Sequence, residues 1–264
     1  MPFNVRFYAI RLLLSAALPG IFPACAPAHH QKLLDLTHSF GQETIYWPHN
    51  KRFQWEKTDW GMTSAGYWYA SANFSASEHG GTHMDAPIHF GQERRTVDQI
   101  PLEQLTGPAV VIDVRSQCSG NPDYELTVND VTGWETQYGR IQEGTLVFML
   151  SGWGSRWPDP TRYLGSATPD DSQSLRFPGF SREAAAFLVN QRAVRGVGID
   201  TASIDPGRSH DFPVHRLLNE ANIYALENVA ALEQLPPRGA TVWTLPIKIK
   251  GGTGGPVRIV AVLP

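Results

Sequence analysis

The sequence has only two cysteines, Cys25 and Cys118, which excludes a disulfide framework. It has no run of basic residues. Lys and Arg number 22 against 25 Asp and Glu, for a net charge of −3, so nucleic acid is excluded as a partner. Beyond residue 28 no apolar run reaches the length of a membrane span, and the mature chain is expected to carry no transmembrane segment. There is no internal repeat and no low-complexity linker, which excludes a solenoid and gives no point at which to divide the chain.

What is present suits a globular enzyme. Apolar residues make up 42% of the 264 and charged residues 18%, enough for a core and too apolar for a disordered chain. The 24 glycines and 20 prolines amount to about 17%, above the usual ~12%, and argue for many turns rather than a helical bundle. Residues 1–28 differ from the rest. Arg6 and Arg11 are their only charges, Leu12 to Ala17 is apolar, and Ala24, Ala26 and Ala28 offer a cleavage site. This predicts a secretory signal peptide over 1–28 and an exported, periplasmic or secreted, domain over 29–264. Cys25 follows Phe22-Pro23-Ala24, where a lipoprotein signal places its lipidated cysteine, although the match to that pattern is poor. Cleavage beyond it leaves Cys118 alone, without an intrachain partner.

Strand signals outnumber helix signals. Strands are predicted at Leu33 to Leu36, Ala109 to Val114, Thr145 to Leu150, Val197 to Asp200 and Ile223 to Leu226. Thr127, with Asp130 three on, opens a helix ending near Gly139. Ser181 opens another that ends before Gly196, and Val214 to Asn219 suits a short third. The aromatic-rich stretch Gln42 to Tyr69 has no clear period and reads as loops and short strands, and Trp157 to Pro178 as a long loop. Gly251-Gly252-Thr253-Gly254-Gly255 lacks the Lys and the following helix of a phosphate loop. It reads as a turn between strands at Thr241 to Ile249 and Val257 to Leu263. The mixture predicts an α/β or α+β domain built on a mixed sheet or barrel.

The chemistry concentrates in His79-Gly80-Gly81-Thr82-His83-Met84-Asp85-Ala86-Pro87-Ile88-His89-Phe90. Three of nine histidines and an aspartate fall within eleven residues. His79, His83, Asp85 and His89 share one parity, and Met84, Ala86, Ile88 and Phe90 the other. In an extended chain one face would carry imidazoles and a carboxylate, and the other would enter the core. A helix would turn Asp85 away from His83 and break at Pro87. Gly80 and Gly81 allow a bend that returns His79 towards His83. Two imidazoles and a carboxylate suit Zn²⁺ or Mn²⁺. A second cluster holds Asp205, His210, Asp211, His215, Glu220 and Glu227. Composition does not choose among these. His215 and Glu227 stand at the edges of apolar runs, as inward-pointing ligands would, whereas His210 sits in a polar loop.

The segment His79 to His89 resembles the signature His-x-Gly-Thr-His-x-Asp-x-Pro-x-His of the cyclase-like metal hydrolases, the family that includes bacterial kynurenine formamidase and isatin hydrolase. All seven defined positions agree. Asp35-Leu36-Thr37-His38, Gly152-Trp153, Gly198-Ile199-Asp200-Thr201 and the late Gly-Gly-Pro-Val-Arg extend the likeness over about 33 to 264. The resemblance implies a swivelling β/β/α fold with a sheet-rich, barrel-like core and helices outside, in homodimers or homotetramers. It implies metal ligation by His79, His83 and Asp85, with one or two Zn or Mn ions. It implies acid/base catalysis by His89, and a second-metal role for His215 and Glu227, which have the family's spacing of twelve. The leader and the long loops depart from the compact formamidase pattern, so the resemblance does not name the substrate.

The resulting expectation is a metal-dependent hydrolase that opens a C–N bond of a small aromatic amide, an aryl formamide or cyclic amide, by metal-activated water. Trp47 is the first candidate for substrate binding, with Trp60, Tyr67 and Trp68 as further members of an aromatic wall. Two alternatives are an exported metal-binding protein without catalysis, and an Fe(II) oxygenase using His83, Asp85 and His215 as a facial triad.

Overall fold

The computed structural model describes residues 31–264, and the leader read over 1–28, with Cys25, lies outside them. Strands in chain order are β1 (Leu33–Asp35), β2 (Gln54–Met62), β3 (Trp68–Ser75), β4 (His83–Asp85), β5 (Thr106–Asp113), β6 (Glu125–Leu126), β7 (Leu146–Leu150), β8 (Gly179–Phe180), β9 (Gly196–Ile199), β10 (Tyr224–Glu227), β11 (Arg238–Pro246) and β12 (Gly254–Val262). The α-helices are α1 (Arg115–Cys118), α2 (Val128–Tyr138), α3 (Pro160–Tyr163), α4 (Arg182–Arg192) and α5 (Pro213–Glu220).

The main sheet runs β1-β12-β11-β5-β7-β9-β10-β4, and β4 pairs again with β12. That last pairing closes seven strands into a barrel-like ring, with β1 lying beside β12. The run β5-β7-β9-β10 is parallel, and the other pairings are antiparallel. Strands of the parallel run are buried on both faces, which is why they read as continuous apolar runs without alternation. Side chains still divide strictly by parity. Ala109 and Val111 enter the barrel with Leu146, Phe148 and Leu226. Val110 and Ile112 face outward with Val147 and Ala225, under Trp134 of α2, Leu188 of α4 and Leu218 of α5.

The helices begin where capping chemistry puts them. The Thr127 hydroxyl accepts the Asp130 amide and the Asp130 carboxylate accepts the Thr127 amide; Ser181 accepts the Ala184 amide at 3.1 Å.

Four local expectations change. Gln42 to Tyr69 is loop up to residue 53, as expected, but from Gln54 it is not short strands: β2 and β3 form one long hairpin that, among the described residues, pairs only with itself. Trp55, Trp60, Trp68 and Phe74 on it are each more than half exposed. A hairpin without a buried face has no reason to alternate apolar with polar, so no period-2 signal marked it. Trp157 to Pro178 contains α3 and buries Tyr163, Leu164, Leu175 and Phe177 in a cluster of its own with Ile45 and Trp153. The glycine-rich segment is only half turn, because Gly254 and Gly255 already pair with Asp85 and Met84. Finally, the signature is extended only over His83–Asp85. Pro87 starts a 3₁₀ turn, Pro87–His89, in the first-turn position that proline tolerates.

Candidate active site

The site lies on the outer face of β4 and β10, under α5. Met84 points into the barrel, so its neighbours His83 and Asp85 point out. The antiparallel register sets Glu227 opposite His83 and Ala225 opposite Asp85, which brings Glu227 to the same face. α5 crosses above and lowers His215 onto it.

The bend before β4 brings back His79. Gly81 has φ +57°, and a Cβ there would meet the Phe40 ring at 2.7 Å, so only glycine fits. The Gly81 amide donates to Ile45 O, and the Gly81 carbonyl accepts from Asn228 Nδ2 at 2.7 Å. The Thr82 hydroxyl donates to Asn228 O at 2.7 Å, which ties the signature threonine to the end of β10. His89 reaches the site by the 3₁₀ turn rather than by strand parity. Its ring stacks on His79, with centroids 3.9 Å apart.

Five donor groups converge. Asp85 Oδ1 lies 2.6 Å from His79 Nδ1 and 3.2 Å from His83 Nε2. Asp85 Oδ2 lies 3.1 Å from His215 Nε2. Glu227 Oε1 is 3.1 Å from the same nitrogen, and Oε2 is 3.5 Å from His83 Nε2. Each far ring nitrogen has its own partner. His83 Nδ1 donates to Gly81 O at 2.9 Å, and His215 Nδ1 to Asp205 Oδ2 at 2.6 Å. In the neutral rings these bonds leave the inward nitrogens with lone pairs. Lone pairs and carboxylate oxygens this close need positive charge between them. A buried set of imidazoles and carboxylates around one point therefore fits a divalent cation. His79, His83 and Asp85 present atoms within 4.8 Å of one another, as do Asp85, His89 and His215.

The protonation equilibria express the same crowding. Burial opposes charge on His83 and His215, yet the carboxylates around them hold both pKa values above the ordinary value. Burial raises Glu227, and Asp85 beside it raises it further. His89 goes the other way: burial pushes it down to about 3, which keeps the ring neutral.

In front of the donors is a cavity of about 250 Å³ walled by Ile45, Tyr46, Trp47, Phe90, Ala202 and Phe212, with Asn50, Ser203 and Asn228 as polar members. Trp47 meets Phe177 and Phe212 edge-on. Sequence reasoning placed His79, His83, Asp85, His89, His215, Glu227 and Trp47 at this site, and all seven line it. Trp60, Tyr67 and Trp68 do not; they are exposed on the hairpin, outside the cavity. Phe90, expected in the core, lines the cavity beside Phe212. His210 and Asp211 lie outside it, and Glu220 pairs with Arg94 at the surface. Asp205 was among the six candidates, but its role as the acceptor behind His215 had no sequence signal. The oxygens of Asp205 also accept the amides of Val214 and His215 at the start of α5.

Fold and site together define a hydrolase whose donor cluster fits a divalent metal ion. The sequence matches the family described as putative cyclase over residues 34–206, and the chain belongs to that family. It is 33% identical over 195 residues to the isatin hydrolase of Roseibium aggregatum, covering 71% of this chain and 72% of that protein. It is 30% identical to the kynurenine formamidase of Salinibacter ruber, covering 86% and 96%. The solved structure of isatin hydrolase A from Ralstonia solanacearum superposes with a TM-score of 0.82 at 33% identity, covering 95% of this chain and all of that one.

Proposed function

We propose that this hydrolase opens the C–N bond of a small, uncharged aromatic amide, an aryl formamide or a cyclic amide of the isatin kind. The observation that carries the choice is the cavity lining. It combines five carboxylate and imidazole donors with an aromatic wall, and among the described residues no Lys or Arg side chain is part of it. A substrate bearing a carboxylate, such as N-formylkynurenine, would find no cationic partner there. The cavity is also below the ~300–1,000 Å³ of drug-sized sites, which suits a substrate of one or two rings.

His79, His83 and Asp85 would hold one divalent ion, Zn or Mn, and Asp85, His215 and Glu227 a second, with the aspartate shared. What such a cation supplies when bound is Lewis-acid polarisation of a carbonyl and acidification of a water. The protein does the rest. Trp47, Phe90 and Phe212 stack the aromatic ring and exclude water. His89, stacked on His79 in the cavity lining, takes the proton of the attacking water and delivers it to the leaving nitrogen as the C–N bond breaks. The facial-triad alternative accounts for three donors only, whereas this cluster gathers five.

The test is turnover of isatin and N-formylkynurenine, followed by absorbance with and without chelator, on protein of known metal content. Chelator-sensitive turnover of isatin with slow turnover of N-formylkynurenine is expected. The reverse ranking would overturn the substrate class, and chelator-insensitive turnover would overturn the metal role.

A further inference from the structure

We propose that Thr253, held by Glu78, is a positioning residue that fixes which nitrogen of His79 carries the proton, and so sets the affinity of the metal centre. The proposal rests on His79 being a metal ligand. Thr253 Oγ1 lies 2.8 Å from His79 Nε2 and also bonds Glu78 Oε2, which in addition accepts the Thr253 amide at 3.0 Å. A carboxylate can only accept. The single hydroxyl proton is therefore spent on Glu78, and Thr253 has only a lone pair left for His79. His79 Nε2 must then be the donor. This leaves Nδ1, the atom 2.6 Å from Asp85 Oδ1, as the metal-facing nitrogen. His83 and His215 have Nδ1 as the outward donor and Nε2 facing inward, so His79 is bound through the opposite edge of its ring.

This gives the glycine-rich segment a role that neither a phosphate loop nor a plain turn accounts for. The Thr253 carbonyl accepts the Ala86 amide at 2.9 Å, which joins the segment to the end of β4. A Cβ on Gly254 would lie 2.3 Å from Met84 O and 2.7 Å from His79 Cε1. Only glycine lets the chain come close enough for the threonine beside it to reach the ring. Because His89 stacks on His79, the same contact also orients the proposed acid/base.

The experiment compares full-length wild type, Thr253→Val and Thr253→Ser by competition between protein and chelator, with Zn²⁺ and Mn²⁺ each used alone. Valine keeps the volume and removes the hydroxyl; serine keeps the hydroxyl and loses a methyl. Thr253→Val is expected to bind about 10–100-fold more weakly, the usual cost of losing a partner behind a ligand, and Thr253→Ser to bind as wild type does. Wild-type affinity in Thr253→Val, or equal weakening in Thr253→Ser, overturns the proposal while leaving the metal centre standing. Wild type that binds neither ion overturns both. Should Thr253→Val not fold, nitrogen NMR of Zn-loaded wild type decides alone. A His79 proton on Nε2 supports the proposal and one on Nδ1 overturns it.

Discussion

Asp85 Oδ2 lies 3.1 Å from His215 Nε2, although 130 residues separate them. The other oxygen of the same carboxylate faces His79 and His83. One side chain thus joins the signature segment to α5. Asp85→Asn keeps the shape and removes the charge shared by both halves. Its metal affinity should fall by more than the ~10–100-fold of an outer partner, with activity lost in parallel. Metal per chain after gel filtration measures this, and full occupancy in the variant would refute the shared-ligand role.

His89 should separate binding from chemistry. Its ring has no hydrogen bond to any described residue; it stacks on His79 and meets His215 edge-on. His89→Ala is expected to retain its metal and to lose about 10²–10⁴ in kcat. Loss of the metal would instead make His89 a ligand, a role its place beside Asp85 and His215 makes worth measuring.

The acid side of the pH profile should depend on metal. His83 and His215 hold protons more tightly than ordinary imidazoles, on the nitrogens a cation needs. Protons and metal therefore compete for the same atoms. Raising free metal tenfold is expected to move the acidic midpoint of kcat/KM to lower pH. A midpoint indifferent to metal would assign it to another group.

Much of this site was legible because its chemistry is local. Three of the five donors and the proposed acid/base fall within eleven residues, and Pro87 and the glycines mark the turns. The twelve-residue spacing of His215 and Glu227 is meaningful only beside a known family pattern. Asp205, Thr253 and Glu78 carried no such mark. Each acts through a contact made by the fold, with Thr253 and Glu78 separated by 175 residues, and no local period encodes it. The hairpin was missed for the opposite reason: its pairing is local, but neither face is buried, so no alternation marks it.

The aromatic wall can be divided by kinetics. Trp47 lines the cavity and packs on Phe212, whereas Trp60 stands exposed under Lys57. Trp47→Ala should raise KM for isatin about 10-fold, equivalent to ~1.4 kcal/mol of binding. Trp60→Ala should leave KM unchanged. Equal effects of the two would mean that the hairpin contributes to the substrate site.

His38 supplies a test of stability away from the metal donors. Its ring stacks on Trp157 with centroids 4.2 Å apart, and its Nε2 is buried without a hydrogen-bond partner among the described residues. Burial pushes its pKa down from 6.5 to about 4. Between these values the unfolded chain binds a proton that the folded chain does not. The His38 contribution is therefore fully present above pH 6.5 and is lost as pH falls towards 4. His38 is only half-buried, which reduces the effect, and acidification from pH 7 to 5 should cost about 1–2 kcal/mol through this residue. His38→Phe keeps the stack and cannot be protonated. Urea unfolding of both proteins at the two pH values should show the variant losing less stability than wild type by that amount. Equal losses would mean that His38 titrates alike in the folded and unfolded chains, and that its stacking on Trp157 does not exclude the charged ring.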